Sequence, residues 1–502
     1  MKSRTIPLAY WLIILFLNTP FLIYSRILHI GAGYPWTSPN SMQGQVIAGD
    51  TVIIHAGSYT GTFFLTNLTG TASAPIIIKA AAGETVFFTG GTESFHFSDI
   101  AYVELQGIIA QSQTGNGMNI DDAGTFVTPS HHILIKDCTF RNINATGNND
   151  LLKLSGVDDF IVQNCIFQNG AEGGSGIDMV GCHRGLFQNN QFANLGSNSI
   201  QIKGGSQDIT VRECRFTNGG LRGINIGGST DLEFFRPQNA TFEASRVQIY
   251  ANVIEGSEAP FAFVGAVDCK VINNTIIKPG KWAMRILQET VEINRFQPCG
   301  RNTVQNNIFI ITSTVSTEVN IGPDTAPGTF IYSNNLWHKE GQSNWSGPVL
   351  PVADPNILLG NPGLNSSTFS ITNSSIAYQK GKTATGISID YYGKNYRNPP
   401  SIGAVEAESP LALKSDDKNK SKQQELNNSI KLYPNPAGNI IHLDVPERAL
   451  FVIVNVQGHR LKVGSLLKGD NIIPIQELNS GIYFTHLEFQ YSKSILKWIK
   501  VD

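Results

Sequence analysis

The chain has 502 residues, with 37 Lys and Arg against 39 Asp and Glu and a net charge of −2. That length holds a large domain plus a small one. The near-neutral balance excludes polyanion binding by bulk charge, so no nucleic-acid partner is expected and only local basic patches remain open. Gly numbers 49 and Asn is abundant, the composition that many tight corners require.

Lys2 and Arg4 precede an apolar run from Ile6 to Tyr24 that is broken by Asn18 and Pro20. A positive start and an apolar core make a secretory signal, expected over residues 1–25 with cleavage near Ser25. The break at Asn18-Thr19-Pro20 and the lack of a later apolar span argue against a permanent membrane span. Residues 49–65 (GDTVIIHAGSYTGTFFL), 74–90 (APIIIKAAAGETVFFTG) and 101–108 (AYVELQGI) then alternate in strand fashion between Gly turns.

From Ile133 to Trp337 the chain repeats. Blocks such as ILIKDCTF (133–140), FIVQNCIF (160–167), GLFQNNQF (185–192), CKVINNTI (269–276) and FIYSNNLW (330–337) recur about 22–28 residues apart, except where two insertions lengthen a unit. Each alternates apolar and polar residues, reaches an Asn or Cys pair, and ends on a large apolar residue. A second short register follows, as in LLKLSG (151–156), GIDMVG (176–181), SIQIKG (199–204) and GINIGG (223–228). Two strands per unit with Gly or Asn corners describe one coil of a parallel β-helix, and no coil buries its apolar side unless coils stack. A leucine-rich horseshoe lacks its Leu pattern here, and a β-sandwich would not hold one register over so many units. The expected fold is all-β: a right-handed parallel β-helix over residues 26–406, followed by a small β-sandwich.

The opening strand, GSYTGTF, APIIIKA order resembles the first coils of polysaccharide lyase family 6 and of many other β-helix proteins. GISIDYYGKNYRNPPSIGAVE (386–406) is similar to the usual closing segment of such helices. The resemblance implies the fold more than the activity, because β-helices host lyases, hydrolases, adhesins and spikes alike. The acidic pair followed by Lys-Ser and Asn, which in that family supplies metal ligands and base, has no counterpart. Lys281-Trp282-Ala283-Met284-Arg285 occupies a comparable place without being that motif, so no role transfers residue by residue.

Alternation in the second register sorts its side chains. The second and fourth positions, from Leu152 and Leu154 through to Val319 and Ile321, point inward. The third position faces solvent and gives the column Lys153, Asp178, Gln201, Asn225, Ala262, Arg285, Asn320. Such a polar column has the shape of a groove for an extended polymer, although outward positions are also polar simply because they meet water. The insertions favour the groove: residues 231–246 and 289–301 leave the same end of the same strand two coils apart and should build one wall. Each pairs an Arg with an aromatic, Phe235-Arg236 and Arg295-Phe296, suited to stacking on sugar rings and pairing with uronate or sulfate.

The expected partner is therefore a polysaccharide or cell-surface glycan, bound by Lys153, Asp178, Gln201, Asn225, Phe235, Arg236, Arg295 and Phe296. β-Elimination of a uronic-acid polymer needs a cation against the carboxylate, a base for the C5 proton and an acid for the leaving oxygen. Lys203, Arg222, Lys281 and Arg285 are the basic candidates. Asp178, Glu243 and Glu289 are the candidates for holding Ca²⁺. Inverting hydrolysis needs clustered carboxylates, of which the column shows only Asp178. A glycan-binding or adhesive surface protein without turnover is the alternative.

Of the six cysteines, Cys138, Cys165 and Cys214 share one corner position, which Asn190 holds in the intervening coil. Cys138 and Cys165 could bridge in an exported protein, although a side-chain ladder is the simpler arrangement. Cys182, Cys269 and Cys299 lack metal-ligand spacing, and no zinc is expected. Residues 407–429 are polar and charged and read as a linker. The segment 430–502, with Tyr433-Pro434-Asn435-Pro436, the NVQG turn, Leu478-Asn479-Ser480-Gly481-Ile482-Tyr483 and Lys497-Trp498-Ile499-Lys500-Val501, resembles the type A C-terminal sorting domain of the Bacteroidetes type IX secretion system. The resemblance implies Sec export, engagement of the type IX machinery through 430–502, removal of the module, and release or surface attachment.

Overall fold

The computed structural model describes residues 25–407 except Phe126 and Ile293, and residues 430–501 except 447–448, 456–459 and 489–492. The expected signal up to Tyr24, the linker beyond Ala407 and most of the NVQG turn lie outside the described residues. The chain divides into two compact units, Met1–Ser409 and Pro410–Asp502.

In the first unit the repeating coils build three parallel sheets, of seventeen, ten and twelve strands among the described residues. The sequence blocks map onto coils one for one. The strands Ser130–Lys136, Val157–Gln163 and His183–Gln188 stack on the first face, with Ile133 beside Phe160 and Phe160 beside Gly185. Thr139–Arg141, Ile166–Gln168 and Gln191–Ala193 stack on the second. Leu152–Ser155, Ser175–Val180 and Asn198–Lys203 stack on the third, the ten-stranded face.

The corner between the first two faces explains the Asn pairs. Its first residue is left-handed, as at Asn164, Asn189, Asn273, Asn306 and Asn334, with φ of 54–56°. Asn tolerates that region better than most residues. The second residue turns inward and is fully buried, as Asn252, Asn274, Asn307 and Asn335 are. Asn252 Nδ2 donates to Asn274 Oδ1, Asn274 Nδ2 to Asn307 Oδ1, and Asn307 Nδ2 to Asn335 Oδ1, each at 3.0 Å. The same carboxamides accept the backbone N–H of the preceding coil's corner, and each Nδ2 also reaches a carbonyl such as Ile249 O or Val271 O at 2.9 Å. Asp354 closes the series by accepting from Asn335 N and Nδ2 at 2.9 Å. The ladder thereby satisfies polar groups that burial would otherwise leave costly.

Cys138, Cys165 and Cys214 occupy this same corner with Asn190 among them, and all six cysteines are buried free thiols. Inward from the corner, Phe140, Phe167, Phe192 and Phe216 stack with ring centroids 5.1, 5.0 and 4.7 Å apart. The expected inward pairs of the third face are buried down to Val319. Ile321 departs from expectation and is 42 % exposed, because its strand is the last of that sheet and no coil follows to cover it. The closing segment adds no coil. It runs over the outside of the second face and buries Ile308, Ile310 and Leu336 under Ile371, Ala377 and Ile402.

A second ladder lies outside the first face, at another left-handed position. Asp159, Arg184, Asp208, Arg246, Asp268, Arg301 and Asp324 succeed one another along the solenoid. Arg184 grips Asp159, Arg246 grips Asp208 and Arg301 grips Asp268, each through Nε and Nη2 at 2.7–2.9 Å.

The second unit is a sandwich of antiparallel sheets. Three strands (Lys431–Tyr433, Ile440–Val445, Gly469–Pro474) form one sheet and four (Ala449–Asn455, Arg460–Leu466, Gly481–Glu488, Lys493–Lys500) the other. Ile441, Leu443, Ile453, Ile473 and Trp498 fill its core.

The Asn ladder makes a direct prediction. Asn274→Ala removes the acceptor of Asn252 N and the donor to the Ile249 carbonyl, at about 1–3 kcal/mol for each buried group left unpaired, while Asn252 Nδ2 keeps Val211 O and Tyr250 O. The expected loss is at least about 2 kcal/mol in urea unfolding. A loss below about 1 kcal/mol would mean that the ladder is incidental.

Candidate functional site

The ten-stranded face carries the expected column, and backbone pairing extends it toward the N-terminus. Phe64, His96, Asn119, Lys153, Asp178, Gln201, Asn225, Ala262, Arg285 and Asn320 stand in register, one per coil. The order is as read from sequence, but the column is not an open polar strip. Asp178, Asn225 and Ala262 are buried. Lys153 and Lys203 lie over Asp178, and Arg222 bonds Asn225 Oδ1 at 3.2 Å.

Open space lies over the N-terminal half of the column, as a cleft of about 1040 Å³. His96, Asn119, Asp121, Lys153 and Lys203 form its floor, and Thr230, Glu233 and Phe234 belong to its wall. Beneath the floor, Lys153 Nζ makes a close ion pair with Asp178 Oδ2, and Lys203 Nζ reaches the same oxygen at 3.5 Å. Asp150 Oδ2 stands 3.8 Å from Lys153 Nζ. Asp178 Oδ1 is buried without a hydrogen-bond partner.

Burial opposes charge on Lys153, but Asp178 and Asp150 outweigh it and raise its pKa, so the ammonium persists. Burial and the Asp178 charge both push the Asp150 carboxyl up. At the other end of the floor, His96 Nδ1 meets Glu93 at 2.9 Å and Nε2 meets Asp121 at 2.6 Å. Burial raises Glu93. Burial also raises Asp122, next to Asp121 at the cleft edge, to about 6.

The two insertions do form one wall, yet most residues chosen for contact with sugar are consumed in building it. Phe235 is fully buried against Phe296, with ring centroids 5.1 Å apart. Arg295 lies over both rings at 4.9 Å and donates to Ala240 O and Gln238 O. Arg236 is buried in a two-pronged pair with Asp158 at 2.7 and 3.0 Å. Burial presses on Asp158, but hydrogen bonds from His183 and Arg236 win and hold its carboxyl far below the usual range. The aromatic this wall offers to the cleft is instead Phe234, which is 57 % exposed, and Phe64 lines the cleft from the column.

The expected metal set does not come together. Glu243 is buried and spent on Gly204 N, Thr230 and Thr290, pinning one insertion to the other. Asp178 holds the two lysines, and Glu289 accepts from Arg222 at 2.7 Å. Held by separate partners and not gathered round one point, these three carboxylates do not fit Ca²⁺. Among the described residues no group of three or more His, Cys, Asp or Glu is arranged to hold a metal ion.

Of the basic candidates, Lys203 lines the cleft and the others do not. Arg222 and Arg285 lie further along the face, Arg285 over the Trp282 ring at 4.4 Å. Lys281 pairs with Glu258 at 3.1 Å. Gln201 accepts from Asn198 on the column between the two groups. His96, Asp121, Asp122, Glu93, Asp150 and Phe234 were not among the expected site residues. The signal for the first two was present, since FHFS (95–98) and NID (119–121) carry the same inward-outward alternation as later coils.

Residues 106–238 and 155–346 match the family described as Right handed beta helix region. Residues 431–501 match the Secretion system C-terminal sorting domain. The chain is a right-handed parallel β-helix repeat protein that carries a type IX secretion C-terminal sorting domain. That domain directs it to the cell surface or the extracellular space. No helix among the described residues is long and apolar enough to cross a membrane.

Among solved structures, pectate lyase Pel9A aligns with 76 % of this chain and 97 % of its own, at 15 % identity and a TM-score of 0.50. An alginate lyase from Paenibacillus sp. str. FPU-7 aligns at 15 % identity over 67 % of this chain and 98 % of its own, with a TM-score of 0.38. The mannuronan C-5 epimerase AlgE4 A-module of Azotobacter vinelandii aligns at 15 % identity over 62 % and 91 %, with a TM-score of 0.38. At such identity the likeness to Pel9A establishes the fold alone. No curated protein matches the sequence.

The raised cleft acids set a pH dependence. A carboxyl whose folded pKa lies above its unfolded value binds more protons when folded, so its contribution to stability is present at low pH and lost as pH rises through the folded pKa. For Asp122 that window runs from the ordinary carboxylate range to about 6. Asp122→Asn should therefore gain on wild type between pH 4 and pH 7, by on the order of 1 kcal/mol after screening. Parallel urea titrations at the two pH values check this, and an unchanged difference would contradict it.

Proposed function

We propose that the protein acts on an acidic polysaccharide held in the cleft of the ten-stranded face and cleaves it by β-elimination. The observation that carries this reading is the convergence of Lys153 and Lys203 on one buried oxygen of Asp178 at the cleft floor. Lys153, held as an ammonium by Asp178 and Asp150, places a local cation at this end of the floor, suited to a uronate carboxylate. The fold adds weak support by analogy, since Pel9A is a pectate lyase.

In this reading Lys153, kept charged by Asp178 and Asp150, pairs with the uronate carboxylate and makes the C5 proton more acidic. Lys203, with the looser contact to Asp178, is the base that takes that proton. The electron pair becomes the C4–C5 double bond, the C4–O bond breaks, and the leaving oxygen takes a proton from solvent in the open cleft. His96, held by Glu93, Asn119 and Asp121 two coils before Lys153, lies beside a neighbouring sugar unit of the chain.

The test is absorbance near 235 nm with a panel of uronate polymers, run in calcium and in chelator so that a metal requirement reads out separately. One polymer should give a rising signal. Lys203→Ala should lower kcat by about a hundredfold or more, and Lys153→Ala should raise KM as well. A flat trace with polymer still retained on the protein would replace this reading with that of a glycan-binding surface protein.

A further inference from the structure

Beyond the cleft, the C-terminal half of the same face holds a second cationic cluster. Arg222 donates to Asn225 Oδ1 at 3.2 Å and to Glu289 Oε1 at 2.7 Å. Arg285 donates through Nε to Asn320 Oδ1 at 2.9 Å and lies over the Trp282 ring at 4.4 Å. Ala262, between Asn225 and Arg285 in the ladder, is fully buried. Among the described residues Arg285 pairs with no carboxylate, and its two terminal nitrogens have no hydrogen-bond partner. Burial and the Arg222 charge both act against its ionised form. Placing two guanidiniums near each other, with Glu289 and Glu258 offsetting only part of the repulsion, is a standing cost. The Trp282 ring and the Asn320 amide nonetheless fix the plane of Arg285 and leave its outer edge available to a planar anion.

We propose that Arg222 and Arg285 form a second anion subsite, which takes a carboxylate or sulfate group on a distant unit of the same glycan chain. This rests on the reading of the cleft as the site of an acidic polysaccharide. Arg285 lies five coils beyond Lys153 on one column, about 24 Å at the spacing of neighbouring strands. Lys153 and Arg285 therefore cannot both engage a disaccharide, whereas an extended chain lying along the column meets both. Half-buried Gln201 sits on the column between them. Arg285 is thereby a binding residue and not a catalytic one.

The experiment is calorimetric titration with oligogalacturonates and oligomannuronates from disaccharide to dodecasaccharide, with heparin-derived oligosaccharides as the sulfate arm. Wild type, Arg285→Gln, Arg222→Gln and Lys153→Ala are compared after thermal unfolding has shown each to be folded. Arg285→Gln and Arg222→Gln should each weaken the longest bound oligosaccharide by about tenfold, the scale of one lost charge-assisted contact, and leave short ones unaffected. Lys153→Ala should weaken every length. If Lys153→Ala acts and neither arginine variant changes any length, the second subsite is overturned and the cleft reading stands. If the arginine variants act and Lys153→Ala does not, the subsite stands and the cleft reading falls. Absence of binding by every probe overturns both.

Discussion

A buried carboxamide at a corner has several hydrogen bonds to make, and only the neighbouring coil can complete them. From Asn252 to Asn335 each amide takes one partner from the coil before and one from the coil after, and Asp354 supplies the last acceptor. The rest of the solenoid depends on this constraint. It fixes the angle between the first two faces in those coils and sets the register in which Phe309 stacks on Trp337. It also holds each strand of the third face directly over the last. A polar interior of this kind is stable only when fully connected.

Because registration is so strict, the third face works as a ruler on which chemistry is placed coil by coil. Lys153, Asp178 and Lys203 come from three successive coils, and their contacts follow from strand spacing and not from any loop. The same rigidity explains the buried acids. Asp150 and Asp178 cannot move apart, so one of them yields by holding a proton more readily. The insertions serve a different purpose. They interlock through Glu243, Phe235, Phe296 and Arg295 and lend the cleft a wall.

What the sequence made legible followed from periodicity. Strand order, the column from Lys153 to Asn320 and the shared wall could all be read because alternation and spacing report backbone geometry directly. What failed was the step from outward-facing to exposed. Asp178, Asn225 and Ala262 face outward yet lie beneath longer side chains of adjacent coils, and alternation carries no information about what lies above a residue. The same gap misassigned Phe235 and Arg236, since an insertion folding on itself buries whichever aromatic and arginine suit its own packing. His96 and Asp121 were within reach, for their coils keep the period, but their blocks lie before the stretch in which the repeat is most regular. Asp150 and Asp122 had no local signal, because corner residues gain significance only through their neighbours in space.

The ladder outside the first face has a consequence for how such a chain can change length. Acid and arginine alternate there from Asp159 to Asp324 without interruption. Losing or duplicating a single coil would set two like charges side by side and leave a guanidinium or carboxylate without its two-pronged partner. Losing or duplicating two coils together restores the pattern. Each exposed pair contributes modestly by itself, but the alternation imposes a parity on the solenoid. Over evolutionary time this stretch should lengthen and shorten in steps of two coils.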